Sequence, residues 1–201
     1  MSLRHQPKAA LINDFSGFGR CSVTVALPII SQMKVQCCPV LTSVFSNHTG
    51  YPSFYFDDYT EKMPSYIAEW KKLNLHFECI AAGFLGSERQ IEIVKNFIRD
   101  FKDETTKVLI DPVMGDHGRT YQTFTPEMCS QMKQLAHFAD ILTPNLTEAC
   151  ILTDTPYHDG HWQMSELSKL ALSLIAMGPS KVVITGVSMG TFIGNVICES
   201  G

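Results

Sequence analysis

KVLIDPVMGD, Lys107 to Asp116, decides the fold. Its first four residues make a short and nearly continuous apolar run, as expected of a strand buried on both faces of a parallel sheet. The run stops at Asp111, where a carboxylate at the tip of a buried strand calls for a partner. Pro112, Gly115 and Asp116 then make a loop with a second acid. Two acids on one loop can hold Mg²⁺ directly or through water and so position phosphate oxygens. Asp116 reads equally well as part of a solvated acidic turn.

Working outward, short apolar runs alternate with longer amphipathic ones. Strands are expected at Lys8–Asn13, Val35–Val44, Glu78–Ala82, Lys107–Ile110, Asp140–Leu142, Lys181–Thr185 and Thr191–Cys198, the last two joined by a turn with Gly186 and Gly190. A helix over Gly19–Met33 must kink or end at Pro28. Another over Tyr59–Leu73 has Pro64 in its first turn and an apolar face of Tyr66, Ile67, Trp70 and Leu73. Ser87–Phe101 is the clearest helix, capped by Ser87 and striped by Ile91, Val94, Ile98 and Phe101. Thr125 caps a helix over Pro126–Phe138. Short and longer helices follow at Asn145–Leu152 and Gln163–Met177.

This alternation predicts an α/β fold: a mostly parallel central sheet flanked by helices on both faces. The length suits a single domain over residues 1–201. A final strand with only Glu199, Ser200 and Gly201 after it leaves a sheet face to be covered, so the fold is expected to continue beyond residue 201.

The 201 residues are 45% hydrophobic and 18% charged, with a net charge of −4. That balance suits a globular protein and makes nucleic acid a poor default partner. No stretch has the length of a membrane-spanning helix, and the N-terminus lacks an apolar leader core. A cytoplasmic protein with no membrane partner is expected. The seven cysteines form no C-x-x-C and complete no zinc spacing, so they read as small buried hydrophobes in a reducing compartment.

Two further motifs carry chemistry. FSNHTGY, Phe45 to Tyr51, places Ser46, Asn47, His48 and Thr49 in a row at the end of a hydrophobic strand. Ligands of open α/β sheets bind outside the carboxyl ends of strands. The alternative is a turn, which Ser, Asn and Gly all favour. LTPNLTEA, Leu142 to Ala149, ends a strand at Thr143 and starts a helix at Asn145, with Glu148 three residues on. Asn-x-x-Glu is close to a capping box, which gives it a structural purpose of its own. Beside Asp111 it also adds a carboxylate and an amide at the same sheet edge, a set that suits hydrated Mg²⁺ and a triphosphate. Gly17-Phe18-Gly19 follows the first strand without completing G-x-G-x-x-G, and no P-loop occurs.

FSNHTGY, DPVMGD and TPNLTEA, in this order and spacing, resemble the pyridoxal kinases of the ribokinase-like superfamily. INDFSGFGRCSVTVALPIIS looks like that family's first strand and helix. The resemblance runs from about Leu11 to the end of the chain. FSNHTGY is specific to pyridoxal kinases, whereas the other two motifs are shared with hydroxymethylpyrimidine kinases. The resemblance implies a three-layer, Rossmann-like fold and ATP-dependent phosphorylation of the 5′-hydroxymethyl group of pyridoxal, pyridoxine or pyridoxamine. It implies ATP and Mg²⁺ as cofactors, with or without a monovalent cation, and a homodimer.

Carried over by position, the resemblance gives Asp14, Ser16, Val44, Asn47, His48, Thr49 and Phe84 to the B6 vitamer. It gives Asp111, Asp116, Tyr121, Thr143, Asn145, Glu148 and Thr185 to the nucleotide, with Asp111 and Glu148 organising the metal. Phe84 stands where well-known members have tyrosine, so a stacking ring is kept and a hydroxyl is lost. The family's G-T-G-D catalytic loop occurs nowhere in these residues. No catalytic base is therefore assigned in this chain, and the chain by itself is expected to be inactive, with the base beyond Gly201. Two other functions compete: a hydroxymethylpyrimidine kinase and a non-catalytic vitamin-binding protein.

Overall fold

The computed structural model describes residues 6–121 and 124–200. The chain divides into two compact units, one reaching to Lys107 and the other starting at Val108.

The first unit is built on β1 (Lys8–Ser16), β2 (Gln36–Phe45), β3 (Phe56–Asp58) and β4 (Cys79–Ala82). β1 is central, parallel to both β2 and β4, and β3 adds antiparallel to β2. Helices α1 (Ser22–Gln32), α2 (Met63–Lys72) and α3 (Glu88–Phe101) connect the strands. Ser87 caps α3 by accepting from the Gln90 N–H at 3.3 Å, and the stripe Ile91, Val94, Ile98 and Phe101 is buried. Phe77, Phe97, Phe101 and Trp70 form one aromatic cluster in this core, with Phe97 and Phe101 4.4 Å apart between ring centroids.

The second unit carries β5 (Lys107–Ile110), β8 (Ile141–Leu142), β9 (Lys181–Met189) and β10 (Phe192–Glu199). β5, β8 and β9 run parallel in that order, and β10 folds back antiparallel on β9. A separate hairpin pairs β6 (Gly115–Asp116) with β7 (Arg119–Thr120). Helices α4 (Pro126–Ala136), α5 (Leu146–Thr153) and α6 (Met164–Ile175) complete the unit. Thr125 caps α4, as expected, by accepting from the Met128 N–H at 3.1 Å. The α/β class with mostly parallel strands is therefore the one expected.

Several local expectations are corrected. Of the two outcomes expected at Pro28, a kink or an end, the end does not occur: α1 runs on to Gln32. Pro28 lies deep enough in the helix for its missing N–H to cost one internal bond while the following turns remain paired. Leu73 is 67% exposed and sits at the C-cap of α2, so the buried face is Met63 and Ile67. Only Cys150 among the cysteines is buried; the other six are half-buried. β3 and the β6–β7 hairpin are absent from the expected elements because strands of three and two residues carry no periodic pattern. No helix among the described residues is long and apolar enough to cross a membrane.

Candidate active site

In the first unit, the candidate residues gather at the carboxyl end of β1 and β2. The pairing of these strands slips between Asn13 and Phe15, which face Leu41 and Val44, so Asp14 lies opposite a bulge containing Thr42 and Ser43. Asp14 is 5% exposed and accepts from the Ser16 hydroxyl at 3.1 Å. The hydroxyl oxygens of Thr42 and Ser43 are buried with no partner.

The FSNHTGY segment continues from β2 as a tied loop. Ser46 exchanges backbone and side-chain bonds with Tyr55, at 3.0 Å from Ser46 N to Tyr55 O and 2.8 Å from Tyr55 N to Ser46 Oγ. The Asn47 amide nitrogen donates to Ser53 O at 2.9 Å, and its oxygen accepts from the Ser46 hydroxyl at 2.6 Å. Asn47 thus shapes the loop through contacts inside it. His48 accepts from the Gly50 N–H through Nδ1 at 3.0 Å, which leaves Nε2 as the N–H of a neutral ring. His48 N donates to Phe18 O at 2.8 Å, and a Cβ at Gly19 (φ +119°) would fall 2.7 Å from His48 Cβ. Gly19 therefore lets the β1–α1 loop lie against His48. Thr49 is exposed beside it, and Val44 is half-buried. Phe84, half-buried, meets the Phe45 ring edge-on at 6.0 Å.

In the second unit, DPVMGD and TPNLTEA are stitched together. Asn145 caps α5 by accepting from the Glu148 N–H at 3.0 Å, and Glu148 Oε2 accepts from the Asn145 N–H at 2.8 Å. The expected capping box is real, and the same side chains also reach the acidic loop. Glu148 Oε1 accepts from the Met114 N–H at 3.2 Å, and Asn145 Nδ2 donates to Gly115 O at 2.8 Å. Thr147, which carried no expectation, accepts from the Gly118 N–H at 2.8 Å. The DPVMGD loop runs into the β6–β7 hairpin at Gly115 and Asp116, and the hairpin turns at His117 and Gly118, both with positive φ, as a two-residue hairpin turn of the favoured hand requires. Asp116 is exposed on this hairpin, and the Tyr121 N–H donates to Met114 O at 2.9 Å just after it. Thr143 N donates to Ile110 O at 3.0 Å just after β8, whereas Thr185, expected to end its strand, lies inside β9, which runs on to Met189, and its N–H donates to Pro144 O at 2.8 Å.

Burial pushes the Asp111 carboxyl up to about 6, and no hydrogen bond or ion pair reaches that carboxylate among the described residues. Glu148 is 3% exposed, and burial first, then the charge of Asp111, pushes it up to about 8. Backbone donors at Asn145, Met114 and Gly115 oppose that rise without cancelling it. Tyr121 is raised as well, by burial and then by the charges of Glu148, Asp116 and Asp111. A buried and a half-buried carboxylate whose charges disfavour each other, with no cation paired to either among the described residues, form a donor set suited to a divalent ion. No group of three or more His, Cys, Asp or Glu side chains shaped to hold a metal occurs among the described residues. The set matches Mg²⁺, which takes one or two carboxylates and fills its shell with water and phosphate oxygens.

The family model for phosphomethylpyrimidine kinase matches residues 27–200. The chain belongs to that family. Pyridoxal kinases are among its curated relatives, in keeping with the resemblance of the three motifs. The Arabidopsis thaliana pyridoxal kinase is 30% identical over 159 residues, covering 76% of this chain and 49% of the relative. That of Sus scrofa is 32% identical over 153 residues, covering 70% and 45%. The chain therefore spans about half the length of the curated relatives it matches. Among solved structures, a candidate phosphomethylpyrimidine kinase of Bacteroides thetaiotaomicron, crystallised with pyridoxal, superposes with a TM-score of 0.88 at 47% identity, covering 92% of this chain and 64% of that one. The pyridoxal kinase of Lactobacillus plantarum superposes at 0.86 with 28% identity, covering 96% and 68%.

Proposed function

We propose that this chain carries the vitamer-binding and magnesium-binding residues of an ATP-dependent kinase that phosphorylates the 5′-hydroxymethyl group of pyridoxal, pyridoxine or pyridoxamine. The observation that carries this reading is the pairing of half-buried Asp111 with buried Glu148, the latter braced by backbone donors, with no hydrogen bond or ion pair to the Asp111 carboxylate among the described residues. Asp111 and Glu148 hold hydrated Mg²⁺, and the ion, when bound, offsets phosphate charge during in-line transfer. Thr143 and Asn145, just after β8, and Thr185, within β9, line the phosphate path. Asp116 on the hairpin and Tyr121 just after it face the nucleotide. In the first unit, Asp14 and Ser16 hydrogen-bond the ring substituents of the vitamer. His48 and Thr49 contact the ring, Asn47 holds their loop, and Val44 and Phe84 supply apolar and stacking surface. No residue here is assigned the proton removal from the hydroxymethyl group, because no G-T-G-D segment occurs in the sequence.

The pyridoxal bound to the Bacteroides relative, 47% identical, supports the vitamer assignment. The family description itself favours a second reading, a kinase of hydroxymethylpyrimidine. The reading also takes the protein to be a homodimer, as the family resemblance suggests, and to be cytoplasmic, as expected from the sequence.

Equilibrium binding separates these readings. Pyridoxal is titrated by its absorbance, hydroxymethylpyrimidine is added as competitor, and Mg²⁺–ADP is titrated by calorimetry. Pyridoxal binding that resists the competitor, together with Mg²⁺-dependent ADP binding, is the expected result. Preference for hydroxymethylpyrimidine would move the assignment to the second reading. Absence of binding by both heterocycles and by ADP would overturn the kinase.

A further inference from the structure

Asn13 lies one residue before Asp14 in β1, and its side chain crosses to the end of β4. Its Oδ1 accepts from the Asp14 N–H at 3.0 Å and from the Phe84 N–H at 3.0 Å. Both partners are donors, so the atom they share is the amide oxygen, and the orientation of the amide is settled by its surroundings. The nitrogen side packs against Gly83, where a Cβ would stand 2.6 Å from Nδ2, so a side chain at position 83 would expel the amide. Gly83 N in turn donates to Ile12 O at 2.9 Å. A single side chain thus fixes the backbone at Asp14, whose carboxylate is buried, and at Phe84, whose ring packs on Phe45.

We infer that Asn13 is a positioning residue for the heterocycle: it sets the spacing between the Asp14 carboxylate and the Phe84 ring, and so the width of the slot that a flat, polar-substituted aromatic ring enters. The inference rests on the B6-vitamer reading above. The acceptor, rather than the bulk of the side chain, is the part that acts. A backbone N–H left without its partner drifts toward water, and both of these N–H groups belong to residues that flank the ligand.

Three variants test this: Asn13→Ala, Asn13→Leu, which keeps the approximate shape without an acceptor, and Asn13→Asp, which keeps the oxygen that both N–H groups need. The readouts are the pyridoxal Kd, the Mg²⁺–ADP Kd and the thermal midpoint. The Ala and Leu forms are expected to bind pyridoxal at least about tenfold more weakly, the size of losing one to two such bonds. The Asp form is expected to stay within about threefold of the parent. ADP binding, which uses the second unit, is expected to be unchanged in all three. Should Asn13→Ala fail to fold, the Leu and Asp pair still decides the matter.

A lowered thermal midpoint with parental pyridoxal affinity would make Asn13 purely structural and overturn the inference. Equal loss in all three forms would do so too, because the acceptor would then not be the acting group. A parent protein that binds no pyridoxal would instead overturn the vitamer reading and, with it, the inference.

Discussion

Asn145 donates from its side-chain amide to the carbonyl of Gly115 across 2.8 Å while its side-chain oxygen caps α5. One residue therefore starts a helix and holds down a hairpin. Asn145→Ser keeps a capping oxygen and loses the brace, whereas Asn145→Ala loses both. A lost cap costs about 1 kcal/mol. An orphaned carbonyl adds about 1 kcal/mol more. Denaturant unfolding is expected to rank the proteins parent, Ser, Ala, in steps of that size. Equal stability of the Ser and Ala forms would show that capping contributes nothing here.

Asp111 predicts a stability that depends on pH in a particular direction. Its carboxyl ionises near 3.8 when unfolded and at about 6 when folded. The folded state thus holds its proton longer, and ionisation destabilises it as pH rises through that window. Asn at this position cannot ionise. Asp111→Asn is expected to match the parent below about pH 4 and to exceed it by up to about 3 kcal/mol above pH 6, the free-energy equivalent of the shift. Unfolding at pH 3.5, 5 and 8 without divalent ions measures this. A constant difference across pH would mean that the carboxylate is not desolvated.

Magnesium should reverse part of that ordering. On the proposed reading the ion would bind the ionised pair and stabilise the parent by mass action. Asp111→Asn has lost half of the donor set. Ten millimolar-scale Mg²⁺ (on the order of ordinary assay levels) is expected to raise the thermal midpoint of the parent and leave that of the variant unmoved. Equal responses would remove Asp111 from the metal site.

Gly118 has φ +73°, and a Cβ there would lie 2.5 Å from Cδ1 of Tyr157. Gly118→Ala meets both a left-handed backbone penalty and a ring in its path. A loss of about 1–3 kcal/mol is expected. Tyr157→Ala removes the ring and not the backbone penalty, so the double variant is expected to lose less than the sum of the singles. Strict additivity would show that the ring does not confine the hairpin.

Thr42 carries a buried hydroxyl with no partner in the protein. Thr42→Val keeps the shape and removes the polar atom. It is expected to be neutral or to gain up to about 1 kcal/mol. A loss larger than that would place a bonded water at the bulge opposite Asp14.

Much of this was legible in the residues. The caps at Ser87, Thr125 and Asn145 are local, and their partners lie three residues away. DPVMGD and TPNLTEA could be grouped because each follows a strand end of a parallel sheet. The rest depends on contacts between distant residues. Asn13 reads as one polar residue in an apolar strand, and its second partner, Phe84, is 71 positions away. Thr147 and Gly118 are 29 apart. Pro28 was read by its intrinsic cost, yet the helix continues one turn past it to Gln32.

Glu148 belongs at once to a helix-start device and to the carboxylate pair. Mutational tuning of the two properties is therefore linked. A library selected for heat resistance would be expected to freeze Asn145 and Glu148 along with their loop. A library selected for altered ion preference would have few escape routes that do not also loosen α5. Efforts to reprogram the proposed ion site would do better to vary Asp111, whose carboxylate takes no hydrogen bond or ion pair among the described residues.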